Sequence, residues 1–285
     1  MRWLERVRAL VPSSGRAGAE RDGAERSSGR AGARQDGNAQ DAMAAALSAA
    51  QAGDYATALG LWEPLARAGV ARAQNNIGAC FAEGLGVARD SALALKWLTL
   101  AAEAGDPVGQ RNCAALHFRG EGTDPDFARA AHLYRLAAEQ GDALAQDMLG
   151  WMLLEGEVIP SDPGAARRWS LAAAQAGVAS SMTRLGMIFH NALGVDRDPA
   201  QAAQWWRKGA EAGDADGQAM LGAALLTGNG IERDGVAALA WLLRAQAGGS
   251  ALATPFLKPA RETLDALRIV DAERRAARPL AEAMS

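Results

Sequence analysis

The fold predicted by this sequence is all-α, built from a repeated helix pair, and three recurrences predict it. Glycine returns every 36 positions, at Gly69, Gly105, Gly141, Gly177, Gly213 and Gly249. Aspartate keeps the same interval at Asp54, Asp90, Asp126, Asp162, Asp198 and Asp234. Alanine does so at Ala58, Ala94, Ala130, Ala166, Ala202 and Ala238. Three residue types holding one register over six copies mark an array of supersecondary units, each burying its apolar face only against a neighbour. Such arrays mostly present a surface to a partner and rarely carry chemistry.

Each repeat reads as two helices. In the first, from Asp90 to about Ala104, apolar residues Leu93, Trp97, Leu100 and Ala101 recur at helical spacing. The recurring Asp suits the N-cap, where its carboxylate accepts from backbone N–H groups. It precedes proline at Pro163 and Pro199, a residue suited to the first helical position. The recurring Gly suits the left-handed residue that ends a helix. Asp106, Asp142 and Asp214 are then placed to cap the second helix, which runs, for example, from Ala143 to Glu155. That helix carries Gly78, Gly150, Gly186 or Gly222 in its interior, at a cost of about 1 kcal/mol against alanine, which a close helix approach would offset. Paired glycines follow it, as in Gly84-Leu85-Gly86 and Gly228-Asn229-Gly230, and permit a sharp reversal.

Four regions follow. Residues 1–11 predict a short amphipathic segment with Trp3, Leu4, Val7, Leu10 and Val11 on one side. Residues 12–40 are low in complexity, repeating Ser-Ser-Gly-Arg-Ala-Gly-Ala, and predict a disordered linker. Residues 41–249 hold the helix pairs. In residues 250–285 the pattern fails, with Pro255 and Pro259 where a helix should stand, and a capping helix near Ala260–Ala277 is expected to turn Leu264, Leu267 and Val270 inward.

Composition narrows the function classes. Apolar residues make up 49% of the chain but aromatics only 5%, which suits thin helix pairs more than one large core. Cys80 and Cys113 are too few for a disulfide framework and read as buried thiols of a reducing compartment. No stretch approaches the roughly 20 apolar residues of a membrane span. The apolar residues of the N-terminus are broken by charges, unlike the core of a secretory signal. A cytoplasmic location is the expectation. Residues 1–34 carry eight Arg against four acids, a net +4, and leave −7 on the rest of the chain.

The string Ala-Leu-Lys-Trp-Leu-Thr-Leu-Ala-Ala-Glu-Ala-Gly-Asp at 94–106, with Gln110 and Gly120-Glu121-Gly122, resembles the Sel1-like repeat, a relative of the tetratricopeptide repeat. Residues 204–214, with Gln218, Leu221-Gly222 and Gly228, match it again. The resemblance covers about residues 54–249. The leading pair at 41–68 has a shorter turn and is closer to a tetratricopeptide unit. Some copies depart from the pattern. Ala114 replaces the helix glycine and Ala192 a loop glycine, while Glu157-Val158-Ile159-Pro160 gives the third loop a different bend. The resemblance implies a right-handed α-solenoid that acts as a non-catalytic scaffold or adaptor for a protein or peptide, without a cofactor and as a monomer.

In tetratricopeptide relatives the second helices line a concave groove. Carried onto this chain, the lining includes Asn75, Arg111, Phe118, Arg119, Asp147, Trp151, Met187 and His190. Trp151 stands in a column otherwise filled by Ala79, Ala115, Met187 and Ala223, so packing does not demand it. It is either a binding anchor, grouped with Phe118, Met187 and His190 and bordered by Arg111 and Arg119, or the filler of a gap left by the altered third loop. The in-register Trp97, Trp169, Trp205 and Trp241 are expected in the core.

Catalysis and metal binding find little support. No nucleophile stands with a base, and no carboxylate pair falls off the repeat pattern. No two of His117, His132 and His190 are four residues apart, and no cysteine is read beside them at ligand spacing. The Gly-x-Gly loops lack a Walker lysine. A second functional reading rests on the Arg-rich leader, which suits weak contact with an anionic surface and would make the protein a peripheral membrane- or nucleic-acid-associated factor. A solvated leader without a ligand is the plain alternative.

Overall fold

A computed structural model describes the backbone of residues 29–280 and the side chains of residues 38–280. It divides into two compact units, the first ending at Asp142 and the second beginning at Ala143. The first unit holds α1 (Gly29–Gln51), α2 (Tyr55–Arg67), α3 (Ala71–Glu83), α4 (Ser91–Glu103), α5 (Pro107–Arg119) and α6 (Phe127–Glu139). The second holds α7 (Ala143–Glu155), α8 (Pro163–Gln175), α9 (Ala179–His190), α10 (Pro199–Glu211), α11 (Ala215–Thr227) and α12 (Gly235–Ala247). A 3-10 turn (Ala251–Ala253), α13 (Thr254–Glu262) and α14 (Ala266–Ala277) follow. The described residues contain no strand.

Local chemistry sets the helix ends. Asp54, Asp90, Asp126, Asp162, Asp198 and Asp234 each accept from the backbone N–H three residues on, at 2.8–3.0 Å. Asp106 and Asp214 do the same for α5 and α11. The recurring glycines, Gly69 to Gly249, all take φ between 85° and 92°, the left-handed region that ends the first helix of each repeat. At the end of the fourth second helix, Ala192 takes the position that glycine holds in the other copies, at φ 58°; it is the one non-glycine with positive φ among the described residues. Val158 does not adopt the positive φ of Gly86, Gly122, Gly194 and Gly230, so the third loop does bend differently. It still closes on the usual bond, with Asp162 N–H donating to the Leu153 carbonyl at 2.9 Å.

Within each unit the tightest packing joins a second helix to the next first helix: α3 with α4, α5 with α6, α7 with α8, α9 with α10, α11 with α12. The recurring alanines are fully buried in these seams. So is the reason for the helix glycines. A Cβ at Gly186 would lie 2.3 Å from the Trp206 ring, closer than any real contact. In the first unit, where Ala114 replaces the glycine, the residue in that column is Tyr134, whose hydroxyl burial pushes up to about 12.

Several expectations need correction. Helix α1 starts at Gly29, so residues 29–40 are helical and not linker. A helix already packed at Ala46 gains one hydrogen bond per added residue, and no proline stops it. The remainder of the linker and the amphipathic segment lie outside the described residues. Pro255 sits in the first turn of α13, where its missing N–H costs nothing, and Pro259 is accommodated within the same short helix. In α14 it is Ile269, Ala272 and Ala276 that face the core with Leu264. Leu267 and Val270 are 83% and 61% exposed, because the buried stripe is rotated from the one expected. Of the in-register tryptophans only Trp97 is core; Trp169, Trp205 and Trp241 are half-buried. The adjacent column, Leu98, Tyr134, Ser170, Trp206 and Leu242, is the buried one, facing the helix glycines.

Candidate partner-binding surface

Second helices lie side by side within each unit, α3 beside α5 in the first, and α9 beside α7 and α11 in the second. Their outer columns are those left over after the packing described above. In the first unit these carry Arg72, Asn76, Ala79 and Glu83 on α3, then Val108, Asn112, Ala115 and Arg119 on α5. In the second they carry Leu144, Met148, Trp151 and Glu155 on α7, Ser180, Arg184, Met187 and Asn191 on α9, and Asp216, Met220, Ala223 and Thr227 on α11. Met148, Trp151, Met187 and Met220 are all half-buried, and Leu144 is 52% exposed.

Polar side chains tie each second helix to the following repeat. In the first unit Arg72 Nε donates to Asp106 at 2.7 Å, Asn112 donates to Asn75 at 2.9 Å, and Arg111 pairs with Asp142 at 2.9 Å. In the second unit Asp147 receives Arg184 at 2.6 Å together with the hydroxyls of Ser180 and Ser181. Val178, which caps α9, has no side-chain acceptor to offer. Asp147 instead binds the side chains of the first two turns of α9 from the preceding second helix. Thr183 donates to Asp214 at 2.6 Å, and Ser250 to Asp216 at 2.6 Å.

These contacts locate the eight residues singled out from the sequence. Asn75, Arg111, Phe118 and Arg119 belong to the first unit; Asp147, Trp151, Met187 and His190 belong to the second. Asn75, Arg111 and Asp147 occupy one column and are engaged between repeats. Phe118 meets the Phe127 ring edge-on at 5.3 Å. Arg119 pairs with Glu121 at 2.7 Å, which lowers the Glu121 carboxyl. His190 stacks at a tilt on Trp206, centroids 5.2 Å apart, and its Nδ1 lies 3.4 Å from the Asn229 amide. Trp151 and Met187 remain half-buried on the outer columns of α7 and α9. Met148 and Met220 share that face and were missed, although they stand 72 positions apart, two repeats in one register.

Burial pushes the Cys80 thiol up to about 11 and raises Cys113 too, and both are free. Cys113 and His117 do stand four residues apart on α5, contrary to the sequence reading. Cys113 nevertheless turns to the Thr99 hydroxyl at 3.7 Å, and no third ligand joins them among the described residues. Burial lowers His117 and His190 below the usual histidine range. No described helix is long and apolar enough to cross a membrane.

Two surface hollows lie in the second unit. One, of about 710 Å³, lies near α12 and α14 and mixes Arg207, Arg233 and Arg268 with Glu232 and Asp234. The other, of about 280 Å³, lies between α8 and α10 and is floored by Leu171, Leu185, Phe189 and Trp205.

With that geometry in place, the comparisons with known proteins are specific. The family profile described as Sel1 repeat matches five times, at residues 71–106, 107–142, 143–178, 179–214 and 215–250. A Sel1 repeat protein from Oxalobacter formigenes is 26% identical over 84% of this chain and 99% of that chain, with a TM-score of 0.72. A putative Sel1 repeat protein from Klebsiella pneumoniae subsp. pneumoniae is 21% identical over 70% of this chain and 97% of that chain, with a TM-score of 0.46. No curated protein matches.

Proposed function

The chain belongs to the Sel1 repeat family, and we propose that it is a non-catalytic scaffold whose second unit holds a protein or peptide against the second-helix face. Sel1 repeat proteins generally mediate protein–protein interaction. The observation that carries the reading is the face of Met148, Trp151, Met187 and Met220, half-buried where the first unit presents Asn and Ala in the same columns. Tryptophan is enriched among the residues that dominate interface energetics, and methionine adapts to varied apolar partners. Two buried free thiols support a reducing, cytoplasmic setting.

The test is crosslinking with mass spectrometry in the native host, comparing wild type, Trp151→Ala and a chain lacking residues 1–28. A partner lost with Trp151→Ala and kept in the deletion supports the scaffold reading. Partners kept by Trp151→Ala, with a stability loss of about 3 kcal/mol or more, would make Trp151 a packing residue. The second reading rests on the eight arginines of residues 1–34, which suit an anionic surface. In that case binding disappears with the leader, and attachment to anionic vesicles fails in about 0.5 M salt.

A further inference from the structure

The 280 Å³ hollow of the second unit shares no lining residue with the Met–Trp face. In the column that includes position 167, other repeats place Leu95, Ala131 and Ala203, half-buried or buried. Here the residue is Arg167, which is exposed. Its stem lines the space beside Leu185 and Trp205 while its charged head keeps to water. The result is an open slot with Leu171 and Phe189 completing its apolar wall.

Its size and charge narrow the occupant. The volume is below the 300–1,000 Å³ usual for small-molecule pockets and suits about one large side chain. Arg167 and Arg168 stand at the slot, no carboxylate lines it, and neither guanidinium forms an ion pair among the described residues. Lys208 adds a third cation, its ammonium 4.2 Å from the Trp205 ring centroid. A guanidinium recognises a carboxylate through paired hydrogen bonds, and its charge selects against basic partners.

We propose that this slot takes an acidic peptide segment, seating one large apolar side chain between Leu171, Phe189 and Trp205 and setting its carboxylates against Arg167 and Arg168. A concave slot sized for one side chain favours a peptide over a lipid surface, which would meet a flat cationic face. The site is separate from the Met–Trp face, so Trp151→Ala leaves it intact.

The experiment is an amide and indole NMR titration of the full chain with three synthetic peptides: Glu-Asp-Leu-Phe-Asp-Glu, Glu-Asp-Ala-Ala-Asp-Glu and Lys-Lys-Leu-Phe-Lys-Lys. Saturable shifts at Leu171, Phe189 and the Trp205 indole are expected with the first peptide alone. The double variant Arg167→Ala/Arg168→Ala, whose changed residues are exposed and leave the fold intact, should weaken that binding about tenfold. No shift at about 1 mM, equal shifts with the lysine peptide, or unchanged binding by the double variant overturns the proposal. So does response to phosphatidylserine vesicles without response to any peptide, which would assign the cations to a membrane.

Discussion

The two units use one backbone recipe to present different faces. In the first, the outer columns of α3 and α5 carry Asn76, Ala79, Asn112 and Ala115. In the second, the corresponding columns of α7, α9 and α11 carry Met148, Trp151, Arg184, Met187, Met220 and Ala223. The seam between helices is nearly constant, with the same buried alanines and the same capping aspartates. The repeat therefore constrains the columns that pack and leaves the columns beyond them free to differ. In an array, stability is a sum over neighbouring interfaces, so one unit can carry a large apolar face without altering the other.

Core columns should give the largest differences. Trp206→Ala is expected to cost about 3–5 kcal/mol, because it empties a site built around Gly186. Leu98→Ala, in the same column of the first unit, should cost about 2–4 kcal/mol. Hydrogen exchange resolved by helix checks this: Trp206→Ala should deprotect α9 and α10, and Leu98→Ala should deprotect α3 and α4. Equal loss of protection throughout the chain would mean that the units do not report independently.

The polar ties come next. Asp147→Ala leaves Arg184, whose side chain is 11% exposed, without its carboxylate and should cost about 2–3 kcal/mol. Asn112→Ala removes a neutral bond to Asn75 and should cost about 1 kcal/mol. Urea unfolding followed by far-UV circular dichroism separates the two. Similar losses would show that the Asp147 cluster is only another hydrogen bond.

Backbone strain gives a smaller, mirrored pair. Ala192→Gly should stabilise the second unit by about 1 kcal/mol, since alanine pays for left-handed backbone that glycine adopts freely. Gly84→Ala should destabilise the first by about the same amount, as its added Cβ meets nothing closer than 3.6 Å and only φ strain remains. Thermal midpoints of the two variants should move in opposite directions.

Protonation gives the smallest effect. Burial lowers both His117 in the first unit and His190 in the second from 6.5, with Arg197 adding to the shift of His190. The folded state then binds fewer protons than the unfolded one. Stability is unaffected above about pH 6.5 and falls as pH drops through that value toward the lower folded one. His117→Gln and His190→Gln should each flatten the decline in urea midpoint between about pH 7.5 and 5.5. A decline unchanged in both variants would place its source in other groups.

The repeat, the helix pairs and their ends are written locally. A carboxylate three residues before an N–H, a glycine where φ must be positive, and proline at a first turn need no distant partner to act. That is why 36-residue spacing was enough to place α2 to α12. The same local rules fell short where a helix outruns its composition, as at Gly29, or tolerates proline by position, as at Pro255. For the binding face, the sequence singled out Trp151 by its odd column but missed Met148 and Met220. A single period shows which column differs, not which neighbouring columns share its surface.

Burial was a matter for the assembled helices. Trp205 and Trp206 are adjacent, about 100° apart around one helix, and both lie near the edge of an apolar stripe. Only the close approach of α9 at Gly186 makes Trp206 the core residue and leaves Trp205 to wall a slot. In the same way, Asn75, Arg111 and Asp147 read as free groove positions until the next repeat supplies their partners 31–37 residues away. Periodicity fixes the direction of a side chain on its own helix; what it meets depends on how near the next helix comes, and only packing sets that distance.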